Sequence, residues 1–372
     1  MILKERQKGE FKKTEIESFS LIKKEGQKKE RKKGLIEVDD EKIRKVLEKT
    51  AVIVPTKDEN LEILEMVLRS IPEVRATIVI SNSKQEWPFD FFAKEESLVK
   101  QLNKILSYPV VICHQKNWKI SQIFSLRYPY ILDPKRNEIK NGKAEGCIIA
   151  TAIAEIFKPE YICFIDADNL APATVDEYVK CFAAGFCLSK TKNTNVRLVW
   201  RKKGKIGKTI SLYDVGRVSK ITNKILSKMM EDFGKKLMIE SGNAGEEAFS
   251  VNFLYNLCWA PRFGMETQFL LEALFFNQNA KLIEMKTISP HFHTERKEKG
   301  HIKEMIQESL SVIYHRPEVP KATKRLIEEI SKKLKIRLLS QRKYPAYPPL
   351  IASIESLKKD LEELEEIINF LR

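Results

Sequence analysis

The chain has 372 residues, of which 43% are hydrophobic and 31% charged, enough for one large or two smaller domains with a real core and a heavily charged surface. No apolar run is long enough to span a bilayer, and the basic stretch 1–34 lacks the apolar core of a signal peptide, so a cytoplasmic protein is expected. The net charge of +15 is concentrated in segments 4–33 and 321–343, and solvated tails and helix faces explain it better than a phosphate footprint. Neither a nucleic acid nor a membrane is expected as a partner. The Lys and Glu balance suits a thermophile protein. Six cysteines, none in C-x-x-C spacing and most within apolar runs, read as buried thiols rather than zinc ligands or disulfides.

Taken in chain order, segment 1–41 is a basic extension, too poor in apolar residues through Gly34 to fold alone and expected to be flexible. The pattern changes at Thr50. Residues 51–55 form a short apolar run, as for a buried strand, and 60–71 carry Leu61, Leu64, Val67, Leu68 and Ile71 at helical spacing. Further strand-like runs are 76–80, 110–113 and 161–165, with a helix over 144–157. Strands alternating with helices predict an α/β fold: a mostly parallel sheet flanked by helices. A helix to about Phe186, a strand over 195–201 and a turn or hairpin over 202–208 follow. Helices are predicted over 214–233, 244–257 and 266–276, then a last strand over 281–288. Amphipathic helices at 300–314 and 321–335, a proline-broken linker and a terminal helix over 351–371 make a helical C-terminal part, which docks on the body or on a second subunit. The expected division is thus 1–41 extension, 42–316 catalytic domain and 317–372 helical region, the catalytic domain splitting into halves 42–190 and 191–316.

In such sheets ligands bind beyond the carboxyl ends of the strands. The polar segments 55–59, 81–83 and 166–168 all fall there. Asp166 and Asp168, two carboxylates at i and i+2 beyond a buried strand, can share a divalent cation or divide their work between cation and ribose. Oxygen ligands favour Mg²⁺ or Mn²⁺. His291 and His293 follow another predicted strand, and at i and i+2 on extended chain they face the same way. One of them can complete a metal site, or both can be ordinary surface or buried imidazoles. Lys143, in Asn141-Gly-Lys-Ala-Glu-Gly, stands at a helix start and can meet a diphosphate, although the segment is not a Walker motif. Gly216-Arg-Val-Ser opens another predicted helix with free N–H groups, a guanidinium and a hydroxyl, which suits an anion. Gly242-Asn-Ala-Gly-Glu is read as the start of the next helix.

Together these residues resemble one family. Ala51-Val-Ile-Val-Pro-Thr-Lys-Asp-Glu, Ile80-Ser-Asn-Ser-Lys, Phe164-Ile-Asp-Ala-Asp-Asn, Gly216-Arg-Val-Ser-Lys-Ile-Thr-Asn, Gly242-Asn-Ala-Gly-Glu and Pro290-His-Phe-His are similar, in order and spacing, to the motifs of mannosyl-3-phosphoglycerate synthases. The resemblance implies an A-type, Rossmann-like nucleotide-diphospho-sugar transferase fold. It implies transfer of mannose from GDP-mannose to 3-phosphoglycerate with retention, yielding a precursor of the compatible solute mannosylglycerate. Pro55, Lys57 and Glu59 would border the guanosine, and Ser83 and Lys143 would lie near ribose and phosphates. Asp166 and Ala167 would complete the donor contacts. Asp168 and a histidine, His293 in preference to His291, would hold Mg²⁺ or Mn²⁺. Gly216, Arg217, Val218, Ser219 and Asn223 match the acceptor segment shared with glucosyl-3-phosphoglycerate synthases, the alternative activity. Asp166, Asp168 and Arg217 are the residues expected to carry the chemistry, and a homodimer is compatible with the sequence.

Overall fold

The computed structural model describes residues 1–22, 35–86, 88–206, 210–294, 301–342 and 344–364. Ten strands form one sheet, in the order Leu35–Glu37, Ile2–Phe11, Thr14–Ile22, Ala280–Lys286, Thr194–Val199, Glu247–Ser250, Tyr161–Phe164, Thr50–Thr56, Ala76–Ser81, Val110–His114. The last four are mutually parallel, as the apolar runs predicted. Strand Thr50–Thr56 shows why such runs are unbroken: Ala51 and Ile53 pack on helix Lys143–Ala154, while Val52 and Val54 pack on helices Leu61–Ser70 and Thr174–Leu188. A strand covered on both faces has no polar side to show. Each fully buried aliphatic side chain contributes about 1.5–3 kcal/mol to that sandwich. Asn60, whose carboxamide accepts from the Glu62 and Ile63 N–H groups, caps the first of these helices and ends the loop after Thr56. A third core joins helices Arg217–Asp232, Gly264–Phe275, His301–His315 and Lys321–Lys333.

Two expectations are corrected. The basic extension is not a flexible tail over its described part. Ile2–Phe11 and Thr14–Ile22 make a hairpin, turned at Lys12 with φ 53°, and the second strand pairs in parallel with Ala280–Lys286. Leu3, Phe11, Ile16 and Phe19 are buried, and Lys281 pairs with Glu17 at 2.9 Å. Few apolar residues suffice because an existing sheet edge supplies the hydrogen bonds and half the core. The predicted helix over 244–257 is replaced by strand Glu247–Ser250 and the one-turn helix Val251–Tyr255. The strand is antiparallel to both Tyr161–Phe164 and Thr194–Val199, with Glu247 opposite Phe164 and Arg197. Its amino end therefore lies at the sheet edge where its neighbours have their carboxyl ends.

The terminal helix, Ile354–Glu362, docks on the body against helix Trp118–Arg127, with Leu357 and Leu361 buried and Arg127 paired to Asp360 at 2.6 Å. Residues 365–372 lie outside the described part. No described helix is long and apolar enough to cross a membrane. The preceding segment is fastened by two buried acids. Glu145 accepts from the Tyr347 hydroxyl at 2.7 Å, and Glu308 accepts from the Tyr344 hydroxyl at 3.3 Å and the Phe263 N–H at 2.9 Å and pairs with Arg262 at 3.0 Å. Burial pushes the Glu308 carboxyl from its ordinary 4.5 up to about 7, against the pull of the Arg262 guanidinium. The fold thus prefers the protonated acid. Its contribution is full below the unfolded-state value and is lost as pH rises through about 7. Glu308→Gln is expected to flatten the fall in stability between about pH 5 and 7, on the order of 1 kcal/mol, in urea denaturation series. An unchanged slope would reject this assignment.

Candidate active site

The Asp166–Asp168 loop leaves the sheet at Ile165, whose N–H still donates to the Ile53 carbonyl at 3.0 Å. Asn169 closes the turn: its Oδ1 accepts from the Ala171 N–H at 3.0 Å and its Nδ2 donates to Thr174 Oγ1 at 2.8 Å. The Leu170 N–H then donates to the Phe292 carbonyl at 2.9 Å, tying this loop to strand His291–Thr294. Asp166 and Asp168 are both partly exposed, and Ala167 between them is buried.

Lys143 stands at the first position of helix Lys143–Ala154, with its ammonium 2.6 Å from Asp166 Oδ1 and 2.9 Å from Glu266 Oε1. The other oxygen of Glu266 accepts from Asn243 Nδ2 at 2.5 Å. Burial disfavours every charge here, yet the two carboxylates outweigh it on Lys143 and hold the ammonium well above its ordinary range. For Asp166, burial is likewise outweighed by Lys143, with His291 and Lys203 adding to the effect, so the carboxyl is held below the usual range.

Glu246 comes next. It sits just ahead of the antiparallel strand, fully buried, and neither carboxylate oxygen has a hydrogen-bond partner among the described residues. His291 Nδ1 lies 3.7 Å from Glu246 Oε1. Burial first, then the charge of Asp166, drives the Glu246 carboxyl well above its ordinary value. Gly245 is needed beside it, because a Cβ there would stand 2.6 Å from Asp166 Oδ2. The loop is braced from behind. Arg197, fully buried, pairs with Glu247 and donates through Nη2 to the Ser241 and Glu266 carbonyls at 3.0 Å, and Glu284 accepts from the Glu240 and Ser241 N–H groups at 3.0 and 2.8 Å. The turn before His291 is held by Glu177, which takes the N–H groups of Ile288 and Ser289 at 2.7 and 3.1 Å, while the His291 N–H donates to the Lys202 carbonyl at 2.9 Å and its ring packs on that of Trp200 at 4.9 Å.

On one side of this centre lie the strand ends of the expected donor half. Pro55 and Glu59 are half-buried and Lys57 is exposed. Ser83 is turned inward, 3% exposed, with its hydroxyl shared between Glu95 and the Asp58 N–H. On the other side a cleft is lined by Trp200, Lys203, Gly216, Ser219, Asn223 and Lys286. Gly216 caps helix Arg217–Asp232, so the first N–H groups of that helix open towards the cleft, and Arg217 is exposed on its first turn. Val218 is buried in the helical core. Asn223 braces the cleft, accepting from the Gly242 N–H at 2.9 Å and donating to the Glu240 carbonyl at 2.7 Å.

The structure thus brings Lys143, Asp166 and His291 into one electrostatic unit, with Asp168 on the same loop as Asp166, and gathers Gly216, Ser219 and Asn223 around a neighbouring cleft. The side chain of His293 lies outside the described residues. The sequence assigned no role to Glu266 or Lys203, and it placed Glu246 in the Gly242-Asn-Ala-Gly-Glu motif only as part of a helix start. The signal for Glu246 was an acid pair, Glu246-Glu247, opening an otherwise apolar run.

Strand order and loop placement define an A-type nucleotide-sugar glycosyltransferase fold. Glucosyl-3-phosphoglycerate synthase from Mycobacterium tuberculosis, solved with Mn²⁺, uridine diphosphate and phosphoglyceric acid, matches with a TM-score of 0.51 at 15% identity, over 83% of this chain and 94% of that one. The same enzyme with Mg²⁺ and uridine diphosphate gives 0.51 at 17% identity, over 75% and 85%. Sequence narrows the class. The family model for mannosyl-3-phosphoglycerate synthase matches residues 6–368. The mannosyl-3-phosphoglycerate synthase of Pyrococcus furiosus is 37% identical over 306 residues, 77% of each chain, and that of Aeropyrum pernix 30% identical over 308 residues, 78% of this chain and 79% of the other. The chain belongs to the mannosyl-3-phosphoglycerate synthase family and is a glycosyltransferase.

Proposed function

We propose that the enzyme transfers mannose from GDP-mannose to the hydroxyl of 3-phosphoglycerate with retention at the anomeric carbon, supplying a precursor of a compatible solute. One observation carries the reading: a Lys143–Asp166–Glu266 triad, with a buried Glu246 carboxyl that has no hydrogen-bond partner among the described residues beside it, stands between the donor-side strand ends and a cleft lined by Lys203, Lys286 and a helix N-terminus.

Among the described residues, no three His, Cys, Asp or Glu side chains are grouped so as to hold a metal ion by themselves. The donor set still fits a cation that shares its coordination with a diphosphate, because Mg²⁺ is commonly held by one or two carboxylates plus substrate phosphates. Asp168 would hold it, with His291 or His293. A bound divalent cation neutralises charge on the leaving diphosphate.

The protein groups do the rest. Lys143 offers its ammonium to the same phosphates and keeps Asp166 ionised under the sugar. Glu246 offers its buried carboxyl group to hydroxyls of the transferred hexose: a buried polar group gains most from hydrogen bonds that arrive with a ligand. Arg217 and the free N–H groups after Gly216 take the acceptor phosphate, and Lys203 and Lys286 add charge to that cleft. An acceptor hydroxyl delivered on the leaving-group face gives retention, and the departing phosphate oxygen can take its proton. The test is Arg217→Ala, expected to raise the Michaelis constant for 3-phosphoglycerate about tenfold to a hundredfold while that for GDP-mannose changes little. An unmoved acceptor constant would place the acceptor phosphate elsewhere.

A further inference from the structure

Beyond the reacting centre, the donor-side loops hang on a single buried carboxylate. Glu95, on helix Phe91–Leu102, is fully buried and takes hydroxyl hydrogen bonds from Ser81 at 2.6 Å, Ser83 at 2.7 Å and Thr56 at 3.3 Å. These hydroxyls sit at the carboxyl ends of two adjacent parallel strands and in the loop that follows the second.

The connections continue outward from Ser83. Its Oγ accepts from the Asp58 N–H at 2.7 Å, its N–H donates to Ser81 Oγ at 3.1 Å, and its carbonyl accepts from His114 Nε2 at 2.9 Å. Because His114 Nδ1 accepts from the Lys116 N–H at 3.1 Å, the imidazole is the neutral Nε2–H tautomer. Asp58, held in the left-handed region at φ 51°, accepts the Lys84 N–H at 2.8 Å. An aspartate tolerates that conformation only at a cost, so the turn needs outside support. Loops 55–59 and 81–84 are therefore cross-linked twice, once through Ser83 and once through Asp58, and Glu95 anchors the first link. Burial pushes the Glu95 carboxyl up, and its three hydroxyl partners pull it back.

We infer that Glu95 is a positioning residue for donor binding: it sets the gap between loops 55–59 and 81–84, the walls of the nucleoside site, without touching the ligand. The inference rests on the proposed donor reading, in which the family resemblance puts Pro55, Lys57 and Glu59 beside the nucleoside. It also explains why Ser83 points inward: its hydroxyl serves the clamp.

The test compares Glu95→Gln, Ser83→Ala and the double variant in the full chain. Measured are the Michaelis constants of both substrates, kcat, the affinity for GDP by calorimetry and the melting temperature. Each single variant is expected to raise the donor Michaelis constant and the GDP dissociation constant about tenfold, as loss of a charge-assisted hydrogen bond would. The acceptor constant should move less than about twofold, and the double variant should do no worse than the worse single one, because both break the same link. Donor and GDP constants that stay put, an acceptor constant that rises equally, or single effects that multiply would each overturn the inference. If Glu95→Gln does not fold, Ser81→Ala decides by the same readouts, since it removes only one fully buried hydroxyl that donates to Glu95 at 2.6 Å. Should the wild type turn over a nucleotide sugar other than GDP-mannose, the proposed donor is wrong while the clamp is still judged, with that sugar and its nucleotide.

Discussion

Asp168→Ala is expected to lower kcat by about 10³-fold or more, with the fold intact. The residue is partly exposed on a loop whose other acid, Asp166, is held by Lys143 at 2.6 Å. With Asp168 set against a cation and a diphosphate, as proposed, its removal takes away charge stabilisation needed only as the diphosphate leaves. The loop should survive, because Asn169, Thr174 and the Leu170–Phe292 backbone bond hold its shape. Turnover with substrates and metal saturating, compared with the wild type in chelator, checks this. Retained turnover in the variant, or wild-type activity indifferent to chelator, would reject the metal assignment.

Lys143→Met should be nearly as damaging to activity and more damaging to stability. The ammonium is about 10% exposed and neutralises two carboxylates, Asp166 and Glu266, with Glu246 close by. Losing one partner of a buried ion pair costs about 3–5 kcal/mol, because the remaining charge is left uncompensated. Losing a preorganised charge at the leaving group costs about 10²–10³-fold in kcat. The variant should therefore melt lower and turn over slowly even when saturated. Arginine should not restore it, since a planar fork cannot take the place of a point charge between two acids. Wild-type kcat in the methionine variant would show that Lys143 only holds the structure together.

Much of this centre was legible in the sequence. The apolar runs before Thr56, Ser81 and Ile165 marked strands buried on both faces, and polar segments after them marked the ligand edge. Asp166, Lys143 and His291 were all read as candidates, and geometry adds that they act as one electrostatic unit.

What escaped depended on partners distant in the chain. Glu246 was read as part of a helix start because a short run of that kind has no periodicity to separate a buried strand from a helix. The antiparallel registers of the next residue, Glu247, with Phe164 and Arg197 bring it to the carboxyl edge of the neighbouring strands. Ser83 and Asn223 are polar residues in the expected places, but their hydrogen bonds go to Glu95, Glu240 and Gly242, a choice made by tertiary packing. The hairpin of residues 2–22 carries few apolar residues among many charges and looked solvated, although both of its strands are paired on each side in the sheet. Its companion strand, Ala280–Lys286, lies more than 250 residues away in the sequence.

The most direct test of the proposed function is a donor–acceptor matrix. GDP-mannose, GDP-glucose and UDP-glucose would each be offered with 3-phosphoglycerate, with and without a divalent metal, and products identified by mass and by the anomeric configuration in NMR spectra. The account predicts one dominant product, a mannosyl-3-phosphoglycerate of retained configuration, formed from GDP-mannose only when metal is present. Preferred transfer of glucose, an inverted anomer, or undiminished turnover in chelator would contradict it.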